Sequence, residues 1–266
     1  MYDLITRDDL ALITTPEATE TWQPVPHAAL IDASERALNL QGWTVESQTY
    51  EMDREGARMF ATWAIVNGTR HEDYRLSVGI RNAHDKAFAA GIGLGAWVLV
   101  CANLDFAADF LIGRKHTSGI LRDLPGILEG IFGRVGRFET AHAARVESYK
   151  RTPLGDAQVH DIVIRSVDAG VMANSYIGKV LGEWRASDHE DFAPRTAWSL
   201  FNAYTEVFKT TNVFDLSTRT TRLHGLLGAV ALDAGQDPSQ SALELAQPGM
   251  ALVPFVPELA GSAILN

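Results

Sequence analysis

Between residues 57 and 80 the chain alternates apolar and polar side chains on both sides of an Asn67-Gly68 dipeptide. Met59, Ala61, Trp63 and Ile65 share one face of the first run; Tyr74, Leu76, Val78 and Ile80 share one face of the second. A period of two belongs to a half-buried strand, and Asn-Gly between two such runs is a strong short-range hairpin signal. Thr44 to Met52 is rich in β-formers and ends at an Asp53-Arg54-Glu55-Gly56 turn, so three consecutive antiparallel strands are predicted. A fourth is placed at Gly95 to Ala102, inside an uncharged run from Ala87 to Ala102. Its first part reads as a short helix or a Gly-rich turn.

Helices flank this sheet. His27 to Leu40 has Leu30, Ala33, Ala37 and Leu40 at helical spacing, with Gly42 placed to end it. Arg122 to Lys150 reads as one long helix or two in line, with Pro125 in its first turn; Asp156 to Asp168 reads as another. Further helices pass through Tyr176, Val180 and Trp184, through Ala197 to Lys209, and through Leu223, Leu226 and Val230. The expected fold is α+β: an antiparallel sheet of about four strands packed by helices, with a helical C-terminal half. Residues 1–26, broken by Pro16, Pro24 and Pro26, are expected to be an irregular arm that Trp22 pins to the body. Residues 27–235 form one domain, β-rich over 27–116 and helical over 117–235. Residues 236–266, with Pro238, Pro248, Pro254 and Pro257, form an extended arm, with a short helix near 242–246.

Composition excludes some functions. The formal net charge of −10 and pI near 5.2 rule out a wholly basic, histone-like binder, though not a local basic groove. One cysteine, Cys101, permits no internal disulfide and fits a reducing compartment. The N-terminus has acids where a signal peptide needs bases, and the run from Ala87 to Ala102 is short of the roughly 18–20 apolar residues of a membrane span. A cytoplasmic protein with no membrane contact is expected.

The chemistry concentrates in Arg81, Asn82, His84, Asp85 and Lys86. Histidine titrates near neutrality and arginine grips phosphate with paired hydrogen bonds, so the group suits a phosphate clamp or a general base; the plain alternative is a turn whose side chains satisfy a strand end. Arg114, Lys115 and His116 form a basic patch, and Arg134 and Arg145 lie near one face of the following helix. They suit a nucleic-acid backbone, although Asp123, Glu129, Glu139 and Glu147 are interleaved and equally describe a solvated face. Asn103, Asn202 and Thr205 are read as structural polar residues. Asn202 either locks its helix onto the sheet or reaches toward His84. Cys101 reads as a core residue, since nothing in the spacing brings it a base. One cysteine and scattered histidines give no metal-ligand pair, and Gly91-x-Gly93-x-Gly95 lacks the surroundings of a nucleotide fingerprint. No cofactor is expected.

Four phrases carry a family resemblance: Val78-Gly79-Ile80-Arg81-Asn82-Ala83-His84-Asp85-Lys86, Val98-Leu99-Val100-Cys101-Ala102-Asn103-Leu104-Asp105-Phe106, Arg114-Lys115-His116-Thr117, and Arg195-Thr196-Ala197-Trp198-Ser199-Leu200-Phe201-Asn202-Ala203-Tyr204-Thr205-Glu206. In this order they resemble a domain-of-unknown-function family, number 932, common in phages and plasmids. Ala83 stands where that family usually has Ser, and Ala102 where it often has an acid or Ser. The resemblance implies a mobile-element origin and no activity. Over residues 27–110 the order helix, Gly-Trp, strand meander, helix is also similar to that of single-strand annealing proteins, which implies a homo-oligomer. The expectation is a phage or plasmid accessory protein that binds or anneals single-stranded DNA or RNA. The alternatives are a protein-binding inhibitor of a host defence or host enzyme, and an enzyme using His84 and Asp85.

Overall fold

The computed structural model describes residues 2–68, 70–98, 103–186, 194–209 and 213–236. Cys101, Ala102 and the C-terminal arm beyond residue 236 lie outside the described residues. Six strands form one antiparallel sheet in chain order: β1 (Tyr2–Ile5), β2 (Thr44–Asp53), β3 (Arg58–Val66), β4 (Tyr74–Ala83), β5 (Ala90–Val98) and β6 (Asn103–Arg114). Around it lie α1 (Arg7–Leu12), α2 (His27–Leu40), α3 (Ile120–Phe132), α4 (Val135–Lys150), α5 (Asp156–Asp168), α6 (Ile177–Arg185), α7 (Ala197–Phe208) and α8 (Val213–Asp233).

The α+β class and the helical C-terminal half stand as read from the sequence. The sheet is larger than the four strands expected. One addition comes from the N-terminal arm, which is not irregular throughout: Tyr2–Ile5 pairs with Tyr50–Asp53, and Thr6 and Asp9 close a capping box at the start of α1. Four residues carry too little pattern to declare a strand. The other addition is β6, whose first residue, Asn103, lies opposite Val98. The Gly-rich segment is neither helix nor turn but the first half of β5. Gly91 pairs with Arg81, Gly93 with Gly79, and Gly95 with Ser77, so the glycines run down one face of the sheet. The β3–β4 connection spans residues 67–73, longer than a two-residue hairpin.

Strand alternation divides the sheet into an inner and an outer face. Met59, Ala61, Trp63 and Ile65 point inward with Leu76, Val78, Ile80, Ile92 and Leu94, and all belong to the hydrophobic core. α2 packs on β2 and β4 and against α3, contributing Leu30, Ile31 and Leu38 to that core. α3 and α4 are two helices, broken at Gly133-Arg134. α3 starts at Ile120, so Pro125 lies not in the first turn but in the second, on the exposed side, where it removes one helical N–H. α8 lies along β6 and contacts α4, α5 and α7.

Candidate nucleic-acid interface

The polar residues 81–86 do not act as one group, because the strand alternates beneath them. Asn82 and His84 continue the inward row of Leu76, Val78 and Ile80, while Arg81 points outward. Past the end of β4, Asp85 pairs with Arg58 at 2.6 Å and accepts the Ala87 amide at 3.0 Å. Lys86 follows at a φ of 66° and lays its ammonium 4.8 Å from the Trp22 ring centre. A non-glycine residue in this left-handed region is uncommon, and such positions cluster at functional sites.

On the inner side, four segments distant in sequence meet at Asn82, which is fully buried. Its amide nitrogen donates to the Val25 carbonyl at 2.7 Å and lies 3.0 Å from His27 Nδ1; its oxygen lies 2.8 Å from His116 Nε2. His84 Nε2 also reaches the Val25 carbonyl, at 2.9 Å, and His27 Nε2 lies 3.3 Å from the Gly56 carbonyl. The His27 and His84 rings stack at 3.8 Å. This network sets the tautomers. A carbonyl only accepts, so Nε2 carries the proton on all three rings; His27 Nδ1, facing an N–H of Asn82, is an acceptor. Burial is the main cause that pushes His27 down to about 3, His116 down to about 4 and His84 below its ordinary value; the neighbouring ring of His84 adds to the first two shifts. The cluster is a neutral polar lock that fastens the chain at Val25 and His27 to the end of the sheet.

His84 and Asp85 are therefore not brought together as an acid–base pair. His84 faces Val25 on one side and Asp85 faces Arg58 on the other. His27 and Val25, the partners that complete the cluster, were missed from sequence. The signal for Asn82 and His84 was there: extending the period of two from Ile80 places both inside.

The outer face carries different chemistry. Tyr2 and Phe60 meet edge-to-face at 5.0 Å, Phe60 and Phe88 lie 5.4 Å apart, and the Arg81 guanidinium sits 5.1 Å from the Phe88 ring centre. Phe60 is buried without joining the hydrophobic core, Phe88 is half-buried, and Tyr2 is 39% exposed. Arg81 lies flat over β5 because its cross-strand partner is Gly91: a Cβ there would come within 2.9 Å of its Nε. Burial lowers the Arg81 guanidinium to about 10, so it remains a cation at neutral pH. Arg58 extends the strip, shared between Asp85 and the Tyr2 hydroxyl. Three aromatic rings thus follow one another along one band of the sheet, with Arg58 at one end and Arg81 at the other.

The remaining basic residues separate. Lys115 is exposed, Arg114 is paired with Asp123, and His116 belongs to the inner cluster. Arg145 is buried on α4 and Arg134 is half-buried at its start, so the two do not form an open basic stripe. Asn202 donates to the Trp198 carbonyl, and Thr205 to the Asn202 carbonyl, both inside α7. Among the described residues, no group of three or more His, Cys, Asp or Glu is arranged to hold a metal ion, and no helix is long and apolar enough to cross a membrane. The model of a family described as "Domain of unknown function (DUF932)" matches residues 17–226, most of the chain. No curated protein and no solved structure matches.

Proposed function

We propose that this chain, which belongs to the DUF932 family, binds single-stranded nucleic acid across the outer face of its sheet. The observation that carries the reading is the succession Tyr2, Phe60, Phe88, Arg81. Every base has a π-face, so half-exposed aromatic rings accept unpaired bases without regard to sequence, and each stacked base contributes roughly 1–3 kcal/mol by alanine substitution. Tyr2 is exposed and Phe88 half-buried, so these two rings reach the surface of the strip. Arg58 and Lys86 flank them and meet phosphates; Arg81 holds the Phe88 ring from below. A duplex hides its base faces, which makes single strands the preferred ligand. The net charge of −10 weighs against tight salt-driven binding and fits a site that relies on stacking. A mobile-element setting and assembly into a homo-oligomer belong to the same proposal.

Fluorescence anisotropy of a labelled single-stranded oligonucleotide across a salt series tests it. Phe88→Ala is expected to weaken binding roughly 5- to 100-fold. Lys86→Ala is expected to flatten the dependence of log affinity on log salt by about 0.7, the increment for one phosphate contact on a single strand. An absence of binding at low salt by a folded, monodisperse sample would sink the reading and favour a protein partner, for which the exposed Leu4 beside Tyr2 offers an apolar contact.

A further inference from the structure

The segment between α1 and α2, residues 13–26, is held at both ends. On one side β1 pairs with β2, and Arg7 on α1 bridges to Asp32 at 2.7 Å and Glu35 at 2.6 Å on α2. On the other side α2 packs into the core. Between these anchors the segment has no helix or strand. It is fastened at the Gln23 amide, which donates to the His116 carbonyl at 2.9 Å, at the Val25 carbonyl under Asn82 and His84, and at Trp22 beneath Lys86.

We propose that His27, His84 and His116, arranged around Asn82, form a proton-operated latch that holds residues 13–26 on the end of the sheet and releases them in acid. On two of the three rings the geometry leaves a second proton no place. On His27 it would go to Nδ1, which accepts from Asn82; two N–H groups would then face each other 3.0 Å apart. On His84 it would go to Nδ1, a buried atom with no acceptor beside it. A charged His27 or His84 would also lie against its stacked neighbour at 3.8 Å.

No counter-charge touches the rings; Asp85 favours a charged His84 through space, but it is bound to Arg58. From β4 and the loop after it come Asn82, His84, Asp85 and Lys86; Asp85 is bound to Arg58 and Lys86 rests on Trp22. From the β2–β3 turn comes the Gly56 carbonyl, with Asp53 occupied by the Ala57 and Arg58 amides. From the chain after β6 come His116 and the exposed cation Lys115, while Arg114 and Arg122 share Asp123. From the segment itself comes the Trp22 ring, 6.5 Å from His116. Among the described residues, no carboxylate hydrogen-bonds to any of the three rings.

The sign follows from linkage. With the segment released the rings are solvated and titrate near 6.5; in the latch His27 and His116 stay neutral well below that, and His84 is shifted the same way. Opening therefore takes up protons. The latch is at full strength above about pH 6.5 and loses strength as pH falls toward 4. Each histidine multiplies the open population by up to about tenfold per pH unit, and three together by up to about a thousandfold.

Amide hydrogen exchange on the intact chain, corrected for the intrinsic pH dependence, reads this directly. Between pH 7 and pH 4.5 the Gln23 amide, which donates to the His116 carbonyl, is expected to lose protection by about 100-fold or more, while β3 and β4 keep theirs. His84→Gln with His116→Gln retains two side-chain N–H donors and removes two protons, so protection should fall less steeply with pH. If that variant fails to fold, nitrogen NMR of the wild-type imidazoles decides. At pH 6 the three rings should be neutral with the proton on Nε2. The proposal is overturned if the three rings are charged at pH 6, or if the Gln23 amide loses protection only when the whole sheet does.

Discussion

Replacing Asn82 by alanine is expected to destabilise the fold by roughly 3 kcal/mol or more, the largest effect of any single polar substitution at this end of the sheet. The side chain is fully buried and satisfies three groups at once: the Val25 carbonyl, His27 Nδ1 and His116 Nε2. A buried donor or acceptor left without its partner costs about 1–3 kcal/mol, and truncation removes the partners of His27 Nδ1 and His116 Nε2 while leaving Val25 only His84. Urea denaturation with an unchanged slope measures the loss. Asn82→Asp separates hydrogen bonding from shape. A carboxylate still accepts from His116 but cannot donate to Val25 or to neutral His27. Once His27 is protonated, its Nδ1–H can donate to the carboxylate, so Asn82→Asp should be less destabilising at pH 5 than at pH 8. The opposite trend, or a loss below 1 kcal/mol for Asn82→Ala, would show that the four segments do not depend on this amide.

Gly91→Val is the second substitution with a large expected effect, on the opposite face. The new Cβ would lie 2.9 Å from Arg81 Nε, closer than real Cβ contacts come, and 3.2 Å from its Cγ, tighter than most of them. Arg81 cannot give way freely, because it is buried and held over Phe88. Overpacking of this kind costs about 1–3 kcal/mol. The same change at Gly113, where among the described residues the nearest neighbour of a Cβ would be the Ala89 Cβ at 3.8 Å, should be tolerated better. A double-mutant cycle sharpens the test. With Arg81→Ala in place the clash is gone, so the two substitutions should couple favourably by about 0.5–3 kcal/mol. Additivity would mean that Arg81 does not lie across Gly91 in solution. If Gly91→Val leaves the fold intact but weakens oligonucleotide binding, Phe88 has lost its support from below and the proposed stacking face gains weight.

The central strands were legible because a half-buried strand writes its burial into every second residue. The alternation at Met59 to Ile65 and at Tyr74 to Ile80 marks the inner face of the core. The polar run after Ile80 was harder to read. Five chemically rich side chains in six positions suggested one cluster, yet in a strand neighbours in sequence are strangers in space. Arg81 and Asn82 lie on opposite sides of the sheet for that reason. The glycines of β5 misled in another way. Glycine favours turns through its backbone freedom, but Gly91 sits in a strand because an arginine from the next strand occupies the place of its side chain.

What the sequence by itself determined is the α+β class, the meander, the first helix and the helical second half. These follow from periodicities of two and of about 3.6 residues and from turn and cap residues, all of which act over a few positions. Only the tertiary structure decided that His27, Gly56, Asn82 and His116 meet, and that Tyr2 joins Phe60 and Phe88. Those contacts close loops of tens of residues. Their stability comes from burial and from hydrogen bonds completed by partners far along the chain, which no local pattern encodes.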